Sequence, residues 1–336
     1  MKAREGDFVK TSDGIIFDVK GLVHPMGKVI AFIRFTPDAK GNRKRKGISY
    51  SKVYPLQERY KLLKERFPQY LVHDPVFDEW LCEVPIRKVK KHYKPIGYLL
   101  RLRRKRRLNK VETQALQFAE LLKRQANVPW NKLGVSGSLL AGLYTPNSDT
   151  DLIVYGSQNC RKVHEALRVL VQDKTSQVRA YNLEELKSLF DFRSKDTAMR
   201  FEDFVRTESR KVFQGKFSQR DYFVRCVKDW NEVSERYGSV RYNPVGYAKI
   251  RARVIDDLES LFTPCSYKIG GVEILEGPRV ESVDEIASFR GRFCEQAKSG
   301  EAVIAQGKVE RVQKIGQREY YRLLLGNKPS DHMILA

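Results

Sequence analysis

Residues 135–154, VSGSLLAGLYTPNSDTDLIV, contain a Gly-Ser pair and an Asp-x-Asp motif between two apolar segments. The apolar segments that end at Val135 and begin at Leu152 are typical of strands. If Asp149 and Asp151 lie on such a strand, both carboxylates point to one face, because strand side chains alternate. Two like charges this close repel each other, and a divalent cation between them offsets the repulsion. We therefore predict a site for Mg²⁺ or Mn²⁺, which prefer hard oxygen ligands.

The Gly137-Ser138 pair lies between the first strand and a short apolar segment that can form a helical turn. Backbone N–H groups at the start of such a turn face an anion, and glycine allows a phosphate to approach. A P-loop is excluded, because Leu143-Tyr144 stands where Lys and Ser or Thr are required. A calcium loop is disfavoured, because Leu152 occupies the position that demands glycine. The pattern predicts a phosphate cradle beside a metal site.

These residues resemble the signature of the DNA polymerase beta nucleotidyltransferase superfamily, and in particular its uncharacterised members of archaeal type. The signature is an apolar residue, Gly, Ser, a spacer of 10 residues and Asp-x-Asp before an apolar strand. The resemblance covers roughly residues 110–235. It implies that Gly137 and Ser138 hold a nucleoside triphosphate and that Asp149 and Asp151 bind two metal ions. It further implies that a hydroxyl attacks the α-phosphate and releases pyrophosphate.

In that superfamily a third carboxylate on a later strand completes the metal site. Asp221 is the preferred candidate, because it opens the apolar segment RDYFVRCV, which can lie beside the Asp-x-Asp strand. Asp229, at the far end of that segment, is the alternative. Asp256 and Asp257 fall in a segment with helical spacing and are less suitable.

Four further residues are expected to contact the nucleotide because they lie near the motif in the sequence: Ser148, Arg161, Lys162 and Arg220. For the three cations, a solvated surface position is an equally good interpretation.

The patterns along the chain predict an α+β multidomain protein. Short strands and turns predict a small basic β-rich domain at 1–90, followed by a basic linker at 91–109. Alternating helices and strands at 110–242 predict a nucleotidyltransferase α/β core with a mixed sheet. Apolar residues at helical spacing predict a connecting helix at 243–263. Short strands at 264–336 predict a barrel-like domain of the oligonucleotide-binding (OB) kind.

The formal net charge of +22 is concentrated in the first 110 residues, which hold 28 Lys and Arg against 11 Asp and Glu. The densest segment, 87–110, has 12 basic residues and no acidic one. A phosphate backbone suits such a surface, because neutralising it releases counterions. A solvated helix face is the alternative. We predict that a nucleic acid, with RNA favoured over DNA, contacts Arg101, Arg103, Arg104, Lys105, Arg106 and Arg107.

The remaining composition excludes several classes of protein. Five scattered cysteines without a C-x-x-C pair indicate neither a disulfide framework nor a zinc site. No apolar stretch approaches the roughly 20 residues of a membrane span, and the first residues lack the apolar run of a secretory signal. We therefore expect a cytoplasmic protein without a membrane partner.

The function predicted from these patterns is a metal-dependent transfer of a nucleoside monophosphate from a nucleoside triphosphate to a hydroxyl, with RNA as the favoured acceptor. Two alternatives stay open. One is transfer to a protein or small molecule, and the other is a non-catalytic nucleic-acid-binding protein with the same fold.

Overall fold

A computed structural model describes residues 1–336 and contains nineteen strands in three sheets and seven α-helices. The chain divides into two compact units, each built from three segments. The first unit consists of Met1–Val72, Cys82–Ala180 and Val212–Val233, and the second of His73–Leu81, Tyr181–Lys211 and Ser234–Ala336. The mixed α+β class predicted from the sequence is confirmed.

An eight-stranded sheet forms from residues 8–93, which confirms the β-rich character predicted for this region. Its main path has the order β4-β5-β3-β2-β1-β8, and β7 pairs with both β3 and β6. Val29, Ala31 and Ile33 alternate along one strand and pack into a single buried core. The elements are β1 (Phe8–Thr11), β2 (Ile16–Val19), β3 (Lys28–Pro37), β4 (Arg43–Arg45), β5 (Ile48–Lys52), α1 (Leu56–Arg66), β6 (Leu71–Asp74), β7 (Glu79–Pro85) and β8 (Val89–Tyr93).

The segment predicted as a basic linker at 91–109 contains a helix, α2 (Pro95–Arg104). Pro95 occupies the first turn of α2, where backbone N–H groups have no acceptor within the helix, so the N–H that proline lacks is not missed. Leu99 and Leu102 are buried, so the helix is held to the unit by an apolar face. The sequence alone predicts no helix in this basic segment, because its many basic residues hide the amphipathic spacing.

The second sheet of the first unit is a mixed sheet with the order β11-β12-β13-β10-β9. Strand β10 is parallel to β13, and the other neighbours are antiparallel. The strands are β9 (Leu133–Val135), β10 (Thr150–Tyr155), β11 (Val178–Arg179), β12 (Gln214–Phe217) and β13 (Arg220–Val227). The helices α3 (Lys110–Ala126), α4 (Gly137–Ala141) and α5 (Ser157–Gln172) accompany them. Asn109 caps α3 in a capping box with Glu112, as its position before the apolar periodicity predicts.

The second unit contains a closed five-stranded barrel, which confirms the barrel predicted for the C-terminal region. The strands follow the order β14-β15-β16-β18-β17, and β17 pairs back onto β14 to close the ring. Strands β16 and β18 are parallel, and β19 adds to the edge of β17. The elements are α6 (Leu183–Arg193), α7 (Phe201–Glu208), β14 (Val240–Asp256), β15 (Cys265–Glu276), β16 (Glu285–Ser288), β17 (Ala302–Lys314), β18 (Tyr320–Leu325) and β19 (His332–Leu335).

The connecting helix predicted at 243–263 is wrong, because most of this segment is strand β14. Ala248, Ile250, Ala252 and Val254 are all buried at a period of two, which is the period of a strand. Ile250 and Val254 satisfy a helical spacing equally well, so the shorter pattern was ambiguous. Pro244 is tolerated in the strand because the pairing register with β17 shifts beside it.

Two simpler predictions can be compared directly with the structure. None of the helices combines the length and the apolar character that a membrane crossing requires. All five cysteines are free and buried, as expected for small apolar side chains.

Candidate functional site

In the first unit, Asp149 immediately precedes β10 and Asp151 is the second residue of that strand. The Asp151 carbonyl accepts a hydrogen bond from the Ser136 backbone N–H at 2.9 Å, which ties the motif strand to the end of β9. Both aspartates are partly buried. Burial, and next the neighbouring carboxylate of Asp149, raise the pKa of Asp151 to about 7. The pair therefore behaves as two crowded like charges, as the sequence predicts for a cation site.

Gly137 brings the Gly-Ser pair directly against this carboxylate pair. Its φ of +62° lies in the left-handed region, and an added Cβ would collide with the Asp151 carboxylate. Only glycine satisfies both conditions. The next residue, Ser138, is 6% exposed, and its buried Oγ has no hydrogen-bond partner. This hydroxyl is consequently available to a ligand.

A shallow, open cleft lies beside the Asp151 carboxylate. The N-terminal sheet forms part of its wall with Phe8, Asp18 and Arg34, and β13 contributes Phe223 and Arg225. Asp18 is 7% exposed, and one of its carboxylate oxygens is buried without a hydrogen-bond partner.

The sequence reasoning missed the charged residues of this wall, because no motif marks them. The available signal was a single charged residue within each of two apolar runs, namely Asp18 in IIFDV and Arg34 in VIAFIRF. Charged side chains in such strands are seldom placed there by packing alone.

Asp221 lies on the strand beside the motif, as predicted, but its side chain is engaged elsewhere. The parallel pairing of β10 with β13 begins at Thr150 and Tyr222, so Asp149 and Asp221 each come immediately before the first paired residue. The Asp221 side chain is 47% exposed, and its Oδ1 lies 2.9 Å from the Lys216 Nζ. The structure contains no group of three or more His, Cys, Asp or Glu that could hold a metal ion. Two of the three carboxylates are thus brought together.

Asp229, the alternative third carboxylate, lies at the opposite end of the sheet from the motif. It follows the end of β13, and its carboxylate is paired with Arg4 and Lys132. The Asp229 carboxylate lies against Gly156, the residue that follows the end of β10, so closely that a Cβ added to Gly156 would contact it. A six-residue strand separates the two ends by about 20 Å, so Asp229 is not a ligand at this site.

Ser148 and Arg220 support the loop before Asp149 instead of facing a nucleotide. The buried Ser148 Oγ accepts a hydrogen bond from the Thr145 backbone N–H at 2.9 Å. The Arg220 guanidinium donates to the carbonyls of Pro146 at 2.8 Å and Ser148 at 2.5 Å. Both side chains therefore hold the turn that carries the first aspartate.

The structure does not bring Arg161 and Lys162 to the carboxylate pair. Both are exposed residues in the first two turns of α5. This helix begins after the C-terminal end of β10, whereas Asp149 and Asp151 lie at its N-terminal end. Proximity in sequence misled the prediction, because the intervening strand carries the chain away from the site.

The six basic residues predicted to contact nucleic acid are all exposed in the first unit. Lys105 is paired with Glu112, at 2.6 Å between Nζ and Oε2. The Arg103 guanidinium lies 4.0 Å from the centre of the Trp130 ring. The other four form no ion pair with a carboxylate: Arg101, Arg104, Arg106 and Arg107.

Comparisons with known proteins define a family for this chain. No protein-family model and no solved structure matches it. It is 32% identical over 335 residues to the uncharacterized protein MJ1086 of Methanocaldococcus jannaschii, and the match covers 97% of this chain and 96% of that protein. Because the identity extends over nearly the whole of both chains, this protein belongs to the same family as MJ1086.

Proposed function

We propose that this protein is a metal-dependent nucleotidyltransferase that transfers a nucleoside monophosphate from a nucleoside triphosphate to a hydroxyl on a nucleic acid, with RNA favoured. The observation that carries this proposal is the close approach of Gly137 to the Asp151 carboxylate. The Gly-Ser pair and the Asp-x-Asp motif are separated by ten residues in the sequence, yet they meet in space. This is the arrangement that the resemblance to the DNA polymerase beta superfamily implies.

Asp149 and Asp151 are the residues that would hold Mg²⁺ or Mn²⁺. Two crowded carboxylates, one with a raised pKa, fit a hard divalent cation. Such a cation, when bound, supplies activation of the attacking hydroxyl and stabilisation of the leaving pyrophosphate. Asp221 would join them only after leaving its ion pair with Lys216, and its side chain is half-exposed.

The protein's own groups have distinct roles in this proposal. The unpartnered Ser138 hydroxyl would donate a hydrogen bond to a phosphate oxygen of the donor nucleotide. Arg220 would position Asp149 through its bonds to the preceding turn. Gly137 would leave room for the Asp151 carboxylate to face the metal.

A nucleic-acid acceptor is supported by separate features of the two units. The first unit carries the exposed basic residues of 101–107, which a phosphate backbone would neutralise. In the second unit, the barrel order β14-β15-β16-β18-β17 supports an OB-like barrel, and barrels of that kind bind oligonucleotides.

A second candidate function is that of a nucleic-acid-binding protein whose transferase fold does not turn over. The observation that favours it is the ion pair between Asp221 and Lys216, together with the absence of a three-carboxylate group.

Both functions are tested by incubating the purified protein with the four nucleoside triphosphates, each labelled on the α-phosphate, with Mg²⁺ or Mn²⁺ and total RNA. We expect label to move to RNA, and Asp149→Asn to abolish this transfer. Asp191→Asn, which removes an exposed carboxylate from α6, is the control and should leave transfer intact.

If the label moves to protein and not to RNA, the proposed nucleotidyl transfer stands, but the acceptor is a protein and not RNA. If no label moves with either metal while the protein still binds RNA, the non-catalytic function is correct and the proposed one is wrong.

A further inference from the structure

Three cations of the N-terminal sheet gather beside the carboxylate pair: Arg34 on β3, Arg43 on β4 and Lys52 on β5. Strand β5 pairs with both β3 and β4, which places these residues on neighbouring strands. Arg34 lines the same cleft as Asp151. The pKa of Lys52 is lowered, by burial first and then by the positive charge of Arg34, while Asp149 and Asp151 act in the opposite direction. Lys52 is therefore close to Arg34 and within electrostatic reach of both aspartates.

The hairpin that carries two of these cations is fastened to the motif. Arg43 donates to the Leu143 carbonyl at 2.5 Å, and Arg45 donates to the Ala141 carbonyl at 2.5 Å, at the end of α4. The Nε of Arg43 is buried and has no hydrogen-bond partner. The hairpin is thus held against the segment that carries Gly137 and Ser138.

Arg34 and Lys52 both lie beside the Tyr54 ring and not in an ion pair. The Arg34 Cζ lies 4.9 Å and the Lys52 Nζ 5.4 Å from the centre of the Tyr54 ring, and neither forms an ion pair. Crowded cations repel one another, and a bound anion relieves that repulsion.

The anion that fits must satisfy two conditions at once. It has to carry several negative charges, because three cations converge on it. It also has to approach two carboxylates, which would repel it unless a divalent cation lies between them. A polyphosphate complexed with a divalent metal meets both conditions.

We propose that Arg34, Arg43 and Lys52 of the N-terminal sheet form the triphosphate-binding wall of the nucleotide site. This inference rests on the proposed function and deepens it. It transfers the phosphate-binding role from Arg161, Lys162 and Arg220 to residues more than 80 positions before the motif. The N-terminal sheet is then part of the nucleotide site itself.

The test uses magnesium tripolyphosphate as the ligand, because it carries the phosphate chain without a base. Its affinity for the full-length protein is measured by titration calorimetry for wild type, Arg34→Gln and Lys52→Met. We expect each variant to bind about tenfold or more weakly, as for the loss of a charge-assisted hydrogen bond. Lys44→Met is the matched control, because the exposed Lys44 alternates with Arg43 along β4 and points to the other face.

Each outcome has a defined meaning, provided that thermal unfolding shows all variants to be folded. The inference is overturned if wild type does not bind tripolyphosphate, if Arg34→Gln and Lys52→Met bind as wild type does, or if Lys44→Met loses as much affinity. Any of these results leaves the proposed function standing when wild type still labels RNA. Conversely, selective loss in Arg34→Gln and Lys52→Met without any RNA labelling supports a polyphosphate site and removes the proposed function.

Discussion

Replacing Asp151 with asparagine should stabilise the metal-free protein at neutral and alkaline pH. The structure crowds its carboxylate against Asp149 in a partly buried position, which raises the pKa of Asp151 from 3.8 to about 7. The folded state therefore holds this proton more tightly than the unfolded chain does. The resulting stability is fully present below pH 3.8 and is lost as the pH rises to about 7.

The size of the effect follows from that difference in pKa. Each pKa unit corresponds to about 1.4 kcal/mol, so the ionised carboxylate destabilises the fold by at most about 4 kcal/mol. Solvent screening of this partly exposed group reduces the value to about 2 kcal/mol. Asp151→Asn removes the charge and keeps the shape of the side chain. Its free energy of unfolding at pH 8 should therefore exceed that of wild type by about 2 kcal/mol.

The assay is urea unfolding at several pH values between 4 and 8, with EDTA and then with Mg²⁺. The difference between Asp151→Asn and wild type should shrink as the pH falls, and Mg²⁺ should stabilise wild type but not Asp151→Asn. Asp191→Asn, which alters an exposed carboxylate, should behave as wild type throughout. A variant that is no more stable than wild type at pH 8 without metal would refute the reasoning that the carboxylates are crowded.

Three further predictions concern backbone, pH and nucleic acid. Gly137→Ala should abolish nucleotide transfer and lower the free energy of urea unfolding by about 2 kcal/mol or more. Gly27 has a similar positive φ but open space around it, so Gly27→Ala should lower the free energy of unfolding by only about 1 kcal/mol. His24 accepts a hydrogen bond from the Ile30 N–H through Nδ1, and burial lowers the pKa of His24 to about 4. Because the fold favours the neutral ring, the contribution of His24 to protein stability is present above pH 6.5 and is lost as the pH drops towards 4. Between pH 7 and 5 this loss should be about 2 kcal/mol in urea unfolding, and an equal loss in His24→Gln would contradict it. The triple substitution Arg101→Gln, Arg104→Gln and Arg106→Gln neutralises three exposed arginines of α2 and the following segment. It should weaken RNA binding and reduce the slope of log affinity against log salt concentration by about 2. An unchanged slope would exclude these arginines as phosphate contacts.

Local features of the site could be predicted from the sequence because they depend on residues close together in the chain. The alternation around Asp149 and Asp151 specified strand β10, and the apolar segment after Arg220 specified β13. The Asn109 cap and the periodicity after it specified α3. Short-range periodicity and capping are sufficient for such elements, since their hydrogen bonds and buried faces are set within one or two turns.

Where periodicity was ambiguous, the tertiary structure decided. Ile250 and Val254 fit a helix and a strand equally, and β14 forms because it can pair with β15 and β17 along its length. Likewise, Asp221 and Asp229 lie on or beside the same strand, and only the parallel register with β10 shows that Asp221 is at the motif end. Pairing between distant segments is not encoded in local spacing.

The sequence by itself determined the carboxylate pair, the Gly-Ser pair and the strands that carry them, because each is a local pattern. Only the tertiary structure decided which cations accompany the pair. Arg161 and Lys162 are near in sequence but follow the far end of β10, whereas Arg34 and Lys52 are distant in sequence and lie beside the motif. Charge acts through space over several ångströms, so the neighbours that matter to a site are set by packing between distant segments.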